Sequence, residues 1–137
     1  MVDNVASVDV ATARPGRAWH VVLWVLQVLG AVSFLLAGYQ KLAGSPDMVA
    51  LFAAIGAGQW FRFLTGTLEI LGGIALLIPR LRALGALGLV GVMIGALITN
   101  FTLGMTPLAA LVELVIVAVI LWGRRRELTP SWILRGE

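Results

Sequence analysis

The stretch that decides the fold is residues 19–38, which read WHVVLWVLQVLGAVSFLLAG. It carries no formal charge, and a helix needs about 20 mostly apolar residues to cross the hydrocarbon core of a bilayer. Of the 137 residues in the chain, 60% are hydrophobic and 12% are charged, whereas a soluble domain has about a quarter charged residues. The sequence therefore predicts one membrane domain and excludes a disordered protein, a nucleic-acid binder and an ordinary cytosolic enzyme.

Further apolar runs follow the first one. The long run over 83–123 has Glu113 as its only formal charge, and Gly104, Thr106 and Pro107 interrupt it near the middle. Glycine just past a helix end and proline in a first turn are typical of such a break. We therefore predict an all-α fold, a membrane-embedded four-helix bundle over residues 18–123. Its spans lie at about 19–38, 61–78, 83–101 and 108–122.

The segments outside these spans are short. Residues 1–17 are predicted to form a disordered cytoplasmic tail, and residues 124–137 a basic cytoplasmic tail that lies against the inner surface. Between the first two spans, Ser45 and Pro46 are typical of a helix start. Apolar side chains then recur at steps of three and four up to Ile55, which predicts a short amphipathic helix at about 46–55 in the outer interface.

The basic residues set the predicted orientation. Eight of them fall on the side of the termini and the second loop, whereas the other side has only Lys41 and Arg62. By the positive-inside rule, both termini are then cytoplasmic, and the chain is a multi-pass protein of a bacterial plasma (inner) membrane. Arg124–Arg126 are interpreted as a topology anchor. The eight residues are Arg14, Arg17, Arg80, Arg82, Arg124, Arg125, Arg126 and Arg135.

Two ionisable residues, Glu69 and Glu113, lie inside predicted spans. Each costs about 2.5–3.5 kcal/mol to insert, so each is a candidate for function. Glu69 is interpreted as part of a functional polar site or as the ion-pair partner of Lys41. For Glu113, a functional role and a structural hydrogen bond between helices are equally consistent with the sequence. Both fall in the outer half of the bilayer, and we expect an outward-opening polar binding pocket formed by Lys41, Arg62, Thr65, Glu69, Asn100 and Glu113.

Small residues predict where the helices pack closely. Gly66 and Gly73 share the small, polar face of the second span with Glu69. Gly91 and Gly95 form a GxxxG motif in the third span, which indicates close packing inside the bundle, the reading we favour, or between protomers.

The residues that usually carry chemistry are scarce. The chain has no cysteine and one histidine, so disulfides, thiolate metal sites and a bis-histidine haem are excluded. No phosphate-binding glycine loop, nucleophile elbow or carboxylate–histidine cluster occurs. We therefore predict no catalytic residue and no metal ligand, and expect no catalysis by this chain on its own.

Three sequence features resemble one known family. They are Gly38-Tyr39-Gln40-Lys41-Leu42 after an apolar span, the interfacial segment at 48–56, and Gly66-Thr67-Leu68-Glu69-Ile70-Leu71-Gly72-Gly73 in the second span. In this order they resemble the DoxX and DoxX-like family of small bacterial membrane proteins, from about Val21 to Arg125. The resemblance implies a four-helix membrane bundle with Lys41, Gly66, Glu69 and Gly73 at characteristic positions. The family is named for a subunit linked to quinone-reducing sulfur oxidation.

Three functions are compatible with these features. The favoured one is an auxiliary or scaffold subunit whose pocket binds a quinone, a lipid or a partner protein, at most within a membrane oxidoreductase complex. The alternative is a small proton-coupled transporter that acts as a homo-oligomer and exchanges protons at Glu69 and Glu113. An enzyme with its own active site ranks last. The expected partners are the lipid bilayer and a redox or other membrane-complex protein, but no nucleic acid.

Overall fold

The computed structural model describes residues 2–128, with side chains from Gly16 onward, and its regular elements in that range are all helices. The helices are α1 Val2–Ala43, α2 Pro46–Ile55, α3 Gln59–Leu76, α4 Arg82–Thr102 and α5 Leu108–Arg124, followed by a 3-10 helix at Arg125–Leu128. The predicted all-α class is confirmed over this part of the chain.

The helix bounds differ from the predicted segments mainly at the N-terminus. α2 covers the same ten residues as the predicted short helix. The prediction of a disordered tail over 1–17 is wrong for the backbone from Val2, where α1 begins. This tail contains Ala6, Ala11 and Ala13, and alanine is the strongest helix former. The predicted contact of the C-terminal tail with the inner surface falls at 129–137, outside the described residues.

The four long helices pack as a ring. α1 contacts α3 and α5, and α4 contacts the same two helices from the other side. α1 and α3 run antiparallel, because Gly66 of α3 lies beside Gly38 of α1, whereas the later Gly73 lies beside the earlier Ala31. Residues from all four helices meet in the core, which consists of Ala31, Phe34, Leu76, Ala86, Leu89, Met93, Val117 and Ile120.

Several polar residues are buried inside this ring, and many large apolar residues are exposed on its outer surface. Gln27 and Glu69 are 0% and 1% exposed, whereas Leu36 and Ile98 are each 61% exposed. Exposed apolar side chains continue along the outer faces of all four long helices. A soluble protein rarely exposes so much continuous apolar surface, and a lipid environment removes the cost of exposing it.

Two helical segments are long and apolar enough to cross a membrane. They are Gly16–Ala43 and Arg82–Thr102, and a third results if α2 and α3, bent by 117°, count as one span. With its apolar outer surface, the chain is therefore a membrane protein. α5 has 17 residues, about 26 Å of helix, which is shorter than a bilayer core of about 30 Å. The four-span topology stays a prediction.

A polar network joins the ends of α3 and α5 to the middle of α1, opposite the α2 end of the ring. The side-chain amide of Gln27 donates to the backbone oxygen of Leu76 at 2.6 Å, where α3 ends and its carbonyls lack helical partners. Arg124 Nε donates to Gln27 Oε1 at 3.0 Å, and its Nη1 lies 3.0 Å from His20 Nδ1. The interpretation of Arg124 as a plain topology anchor is therefore incomplete, because its side chain is buried and cross-links α1 to α5.

The glycines of the ring differ in how much space surrounds them. A Cβ added to Gly38 would lie 2.7 Å from the backbone oxygen of Gly66, whereas one added to Gly95 would meet no atom within 4 Å. We expect Gly38→Ala to destabilise the protein by about 1–3 kcal/mol through overpacking. Gly95→Ala should stabilise it by up to about 1 kcal/mol, because alanine favours helix over glycine.

Both variants make the same chemical change inside a helix, so each is the control for the other. The measurement is thermal unfolding in one detergent, followed by tryptophan fluorescence. Equal shifts in the midpoint temperature would contradict the close crossing of α1 and α3 at Gly38.

Candidate functional site

A cavity of about 710 Å³ lies inside the ring, at the end that α2 covers. Ligand pockets typically have volumes of about 300–1,000 Å³ and a mostly apolar lining with a few polar groups. This cavity has that character, since residues from all five α-helices contribute to it and most of them are apolar. Its polar and charged side chains are Lys41, Thr65, Glu69, Thr99, Asn100 and Glu113.

An ion pair between α1 and α3 forms part of the cavity wall. Lys41 Nζ lies 3.0 Å from Glu69 Oε1 and 3.1 Å from Glu69 Oε2. The two side chains are 13% and 2% exposed, so the pair is largely withdrawn from solvent. Lys41 occupies the last turn of α1, where the helix dipole favours a cation. Of the two interpretations of Glu69, the structure shows pairing with Lys41, and this pairing occurs at the cavity.

The second buried carboxylate, Glu113, has a hydroxyl partner. Ser33 Oγ of α1 donates to Glu113 Oε1 of α5 at 2.6 Å. This contact matches the structural alternative, a hydrogen bond between helices, and Glu113 also lines the cavity. Ser33 was not among the predicted site residues, although a hydroxyl inside an apolar span typically forms a hydrogen bond to a neighbouring helix.

The remaining polar groups of the cavity come from α3 and α4. Thr65 Oγ1 donates to the Phe61 carbonyl at 2.9 Å, one turn back along α3. Asn100 Nδ2 donates to the Thr106 carbonyl at 3.4 Å, which ties the end of α4 to the loop before α5. An amide has a second N–H and an acceptor oxygen, so Asn100 retains hydrogen-bonding capacity toward the cavity.

Arg62 does not line the cavity, so its predicted place in the pocket is wrong. Its Nη1 donates to the backbone oxygen of Lys41, and its Nε donates to Gln59 Oε1 at 2.8 Å. The guanidinium therefore donates to a carbonyl in the last turn of α1, which also accepts from the Gly44 backbone N–H at 3.3 Å, and Arg62 is thereby directed at the turn after α1. Arg62 supports the site indirectly, because it holds the backbone of the residue that carries the cavity's ammonium group.

α2 closes the cavity. Gly56 and Gly58, between α2 and α3, have φ angles of 82° and 108°, which glycine adopts readily. They permit the 117° bend that turns α2 back over the ring. Its four periodic apolar side chains line the cavity, as a covering helix requires, and the place of α2 in the outer interface stays a prediction. These residues are Met48, Leu51, Phe52 and Ile55.

The four predicted packing glycines fall into two pairs. A Cβ at Gly66 would lie 2.9 Å from Lys41 Cβ, and one at Gly73 would lie 3.3 Å from the Ala31 carbonyl, so both glycines bring α3 close to α1. Gly91 and Gly95 line the cavity, and a Cβ at either would meet nothing within 4 Å. Among the described residues no other helix comes within 4 Å of such a Cβ, so the favoured packing inside the bundle is not seen at these two glycines, and packing between protomers stays a prediction.

The arrangement suits a ligand with an apolar body and a polar group. The ammonium of Lys41 and the amide of Asn100 are hydrogen-bond donors, and the two carboxylates are acceptors when ionised. Glycines along α4 and apolar side chains from α2 and α3 provide the rest of the wall. Such a cavity can hold and orient a molecule. The binding of a ligand by its polar residues stays a prediction.

Comparison with known proteins yields one match. A sequence model described as the DoxX-like family matches residues 25–123, which is most of the chain and includes all four long helices in whole or in part. The family resemblance noted from the sequence is thereby confirmed. No curated protein and no solved structure is significantly similar to the chain.

The burial of the ion pair generates a prediction about stability. Removing one partner of a buried pair costs about 3–5 kcal/mol, because the other charge is left unpaired. We expect Lys41→Met to cost more than Glu69→Gln, because Glu69 is the more buried partner and a lone lysine can extend toward the helix end.

A double-mutant cycle with these two substitutions measures the interaction, using unfolding in mixed micelles. The double variant should lose less stability than the sum of the two single losses. Additive losses, or a larger loss for Glu69→Gln, would contradict the buried pair.

Proposed function

The chain belongs to the DoxX-like family, and on that premise we propose that it is a four-span protein of a bacterial plasma membrane. Both termini are cytoplasmic, so the cavity under α2 opens to the outside. The basic residues support this orientation, because eight of them lie on the side of the termini and two on the side of the cavity. The packing of α3 and α5 within one ring with the two apolar spans supports four crossings.

In this membrane the protein acts as an auxiliary subunit that binds an amphipathic small molecule, and a quinone fits the cavity best. One observation carries the proposal, namely a buried ion pair in the wall of a mostly apolar cavity. Keeping two charges inside a membrane protein is costly, and such residues typically mark a binding site or a proton path.

The cavity residues match the parts of a quinone. Its ring is apolar on both faces and suits the wall formed by Phe52, Leu68 and Val92. Its carbonyl oxygens accept hydrogen bonds, which the ammonium of Lys41 and the amide of Asn100 can donate. Glu69 holds the ammonium at the cavity wall, and Ser33 holds the carboxylate of Glu113. A bound quinone would supply electron and proton transfer, while the residues of this chain bind and orient it.

A partner protein supplies the electrons in this proposal. The cavity offers carboxylates, an ammonium, an amide and two hydroxyls, which are groups suited to holding a ligand. The chain would therefore present a membrane-soluble acceptor to a redox protein on the outer side, as a subunit of an oxidoreductase complex. Exposed residues at the rim, such as Tyr39 and Trp60, are available for that contact.

We expect a quinone to co-purify with the wild-type protein and to decrease at least ten-fold in Glu69→Gln. A hydrogen bond to a charged group contributes about 1.5–3 kcal/mol, and each 1.4 kcal/mol is about a ten-fold change in affinity. The measurement is purification in native nanodiscs, then mass spectrometry of small molecules and co-purifying proteins.

Glu127→Gln is the matched control. It makes the same change to a carboxylate that pairs with Arg82 at the opposite end of the ring, 2.7 Å from its Nη2. This variant should retain the quinone at the wild-type level. A wild-type protein free of quinone, or equal amounts in all three proteins, would overturn the proposal.

Proton-coupled transport by an oligomer is the second candidate. The observation that favours it is that two carboxylates on different helices, Glu69 and Glu113, line the same cavity. In that case Glu69→Gln abolishes pH-dependent uptake in proteoliposomes, whereas Glu127→Gln leaves it unchanged. Uptake that persists in Glu69→Gln excludes this candidate.

A further inference from the structure

A second hollow lies between α3 and α4, on the lipid-facing side of the ring. Its volume is about 560 Å³, and its lining consists only of apolar side chains and glycine. Leu71 and Leu84, which are exposed, form its sides, and it extends as far as Leu81 at the other end of the helices. We refer to it as the α3–α4 groove.

The α3–α4 groove is continuous with the cavity under α2. Leu68, Gly88 and Val92 line both spaces, so the two meet at this level of the helices. Gly88 has no side chain, and a Cβ added to it would meet no atom within 4 Å, so there is free space at this position. The cavity and the apolar groove, which is open to lipid, therefore adjoin each other at the level of Gly88.

The joined space is long. Asn100 marks the polar end of the cavity and Leu81 the far end of the groove. The 19 residues of α4 sequence between them correspond to about 28 Å at the helical rise, which is close to the thickness of the bilayer core. Its polarity is graded as well, with the charged and amide groups at one end and only hydrocarbon along the rest.

The geometry points to a ligand with a long hydrocarbon tail, whose tail lies in the α3–α4 groove and passes Gly88 to reach its polar head in the cavity. This inference rests on the proposed binding of an amphipathic molecule and specifies its class, an isoprenoid or acyl-chain amphiphile. It also assigns a role to the glycines of α4. They make room for a chain instead of packing against a neighbouring helix.

Close packing below the junction keeps the groove shallow. A Cβ on Gly72 would lie 2.6 Å from Leu89 Cγ, and one on Gly85 would lie 2.6 Å from Ala75 Cβ, so α3 and α4 touch along this line. A tail therefore rests on the outside of the helix contact and remains accessible to the bilayer, which provides its route of entry.

Two probes with the same head test the inference. One is a benzoquinone with a long polyprenyl tail, and the other has a methyl group in place of that tail. Binding to protein in nanodiscs is measured against empty nanodiscs to remove simple partitioning into lipid. The wild-type protein should bind the long-tailed probe at least ten-fold more tightly, because its tail fills the groove.

Gly88→Leu places a side chain at the junction of the two spaces and should weaken binding of the long-tailed probe far more than binding of the tail-less probe, which removes most of the preference. Gly88→Ala, which favours the helix, keeps the test available if the larger variant fails to fold, and should reduce the preference partially. Ile94→Phe adds bulk to a part of α4 that lines neither space and should retain the preference.

The outcomes separate this inference from the proposed function. Equal binding of both probes by the wild-type protein overturns the tail groove and leaves the head site intact. Binding of neither probe overturns the proposed function itself. A dimer that dissociates in Gly88→Leu, with no difference between the probes, shows that a second copy occupies the groove and overturns the inference.

Discussion

The ion pair between Lys41 and Glu69 depends on how closely α1 approaches α3, and the cavity depends on that pair. The helices meet where Gly38 and Gly66 lack side chains, so their backbones lie nearly in contact. This crossing places Glu69, one turn further along α3, beside the last turn of α1. Because neither charge is tolerated alone inside an apolar ring, the pair in turn resists separation of the two helices.

Arginine side chains support both ends of the ring in a similar way. Arg62 binds the terminal carbonyl region of α1, and Gln27, held by Arg124, binds the terminal carbonyl of α3. Helix ends inside a membrane protein must find partners for these carbonyls, since lipid offers none. The buried polar side chains at these positions therefore satisfy the backbone carbonyls at the helix ends.

Hydrophobic periodicity and length predicted the apolar helices but not the part of α1 that precedes residue 19. The four apolar runs and the segment at 46–55 correspond to α1–α5, because each is bounded by glycine, proline or charge. From the sequence, Glu69 was either part of a functional polar site or the ion-pair partner of Lys41, and the structure shows the ion pair. Arg62 was assigned wrongly because a spacing pattern places a residue on a helix face but does not show where a long, flexible side chain ends.

The surroundings of α2 and of Gly91 and Gly95 have a common physical cause. Amphipathicity predicts that one face of a helix is covered by something apolar, but lipid, protein and an internal cavity satisfy that requirement equally well. For α2, the bend at Gly56 and Gly58 directs the apolar face of the helix inward over the ring. Because this face covers the end of the ring, Gly91 and Gly95 of α4 become part of the cavity wall. A GxxxG motif lets another group approach the helix backbone closely, and here the exposed backbone faces a space of ligand size.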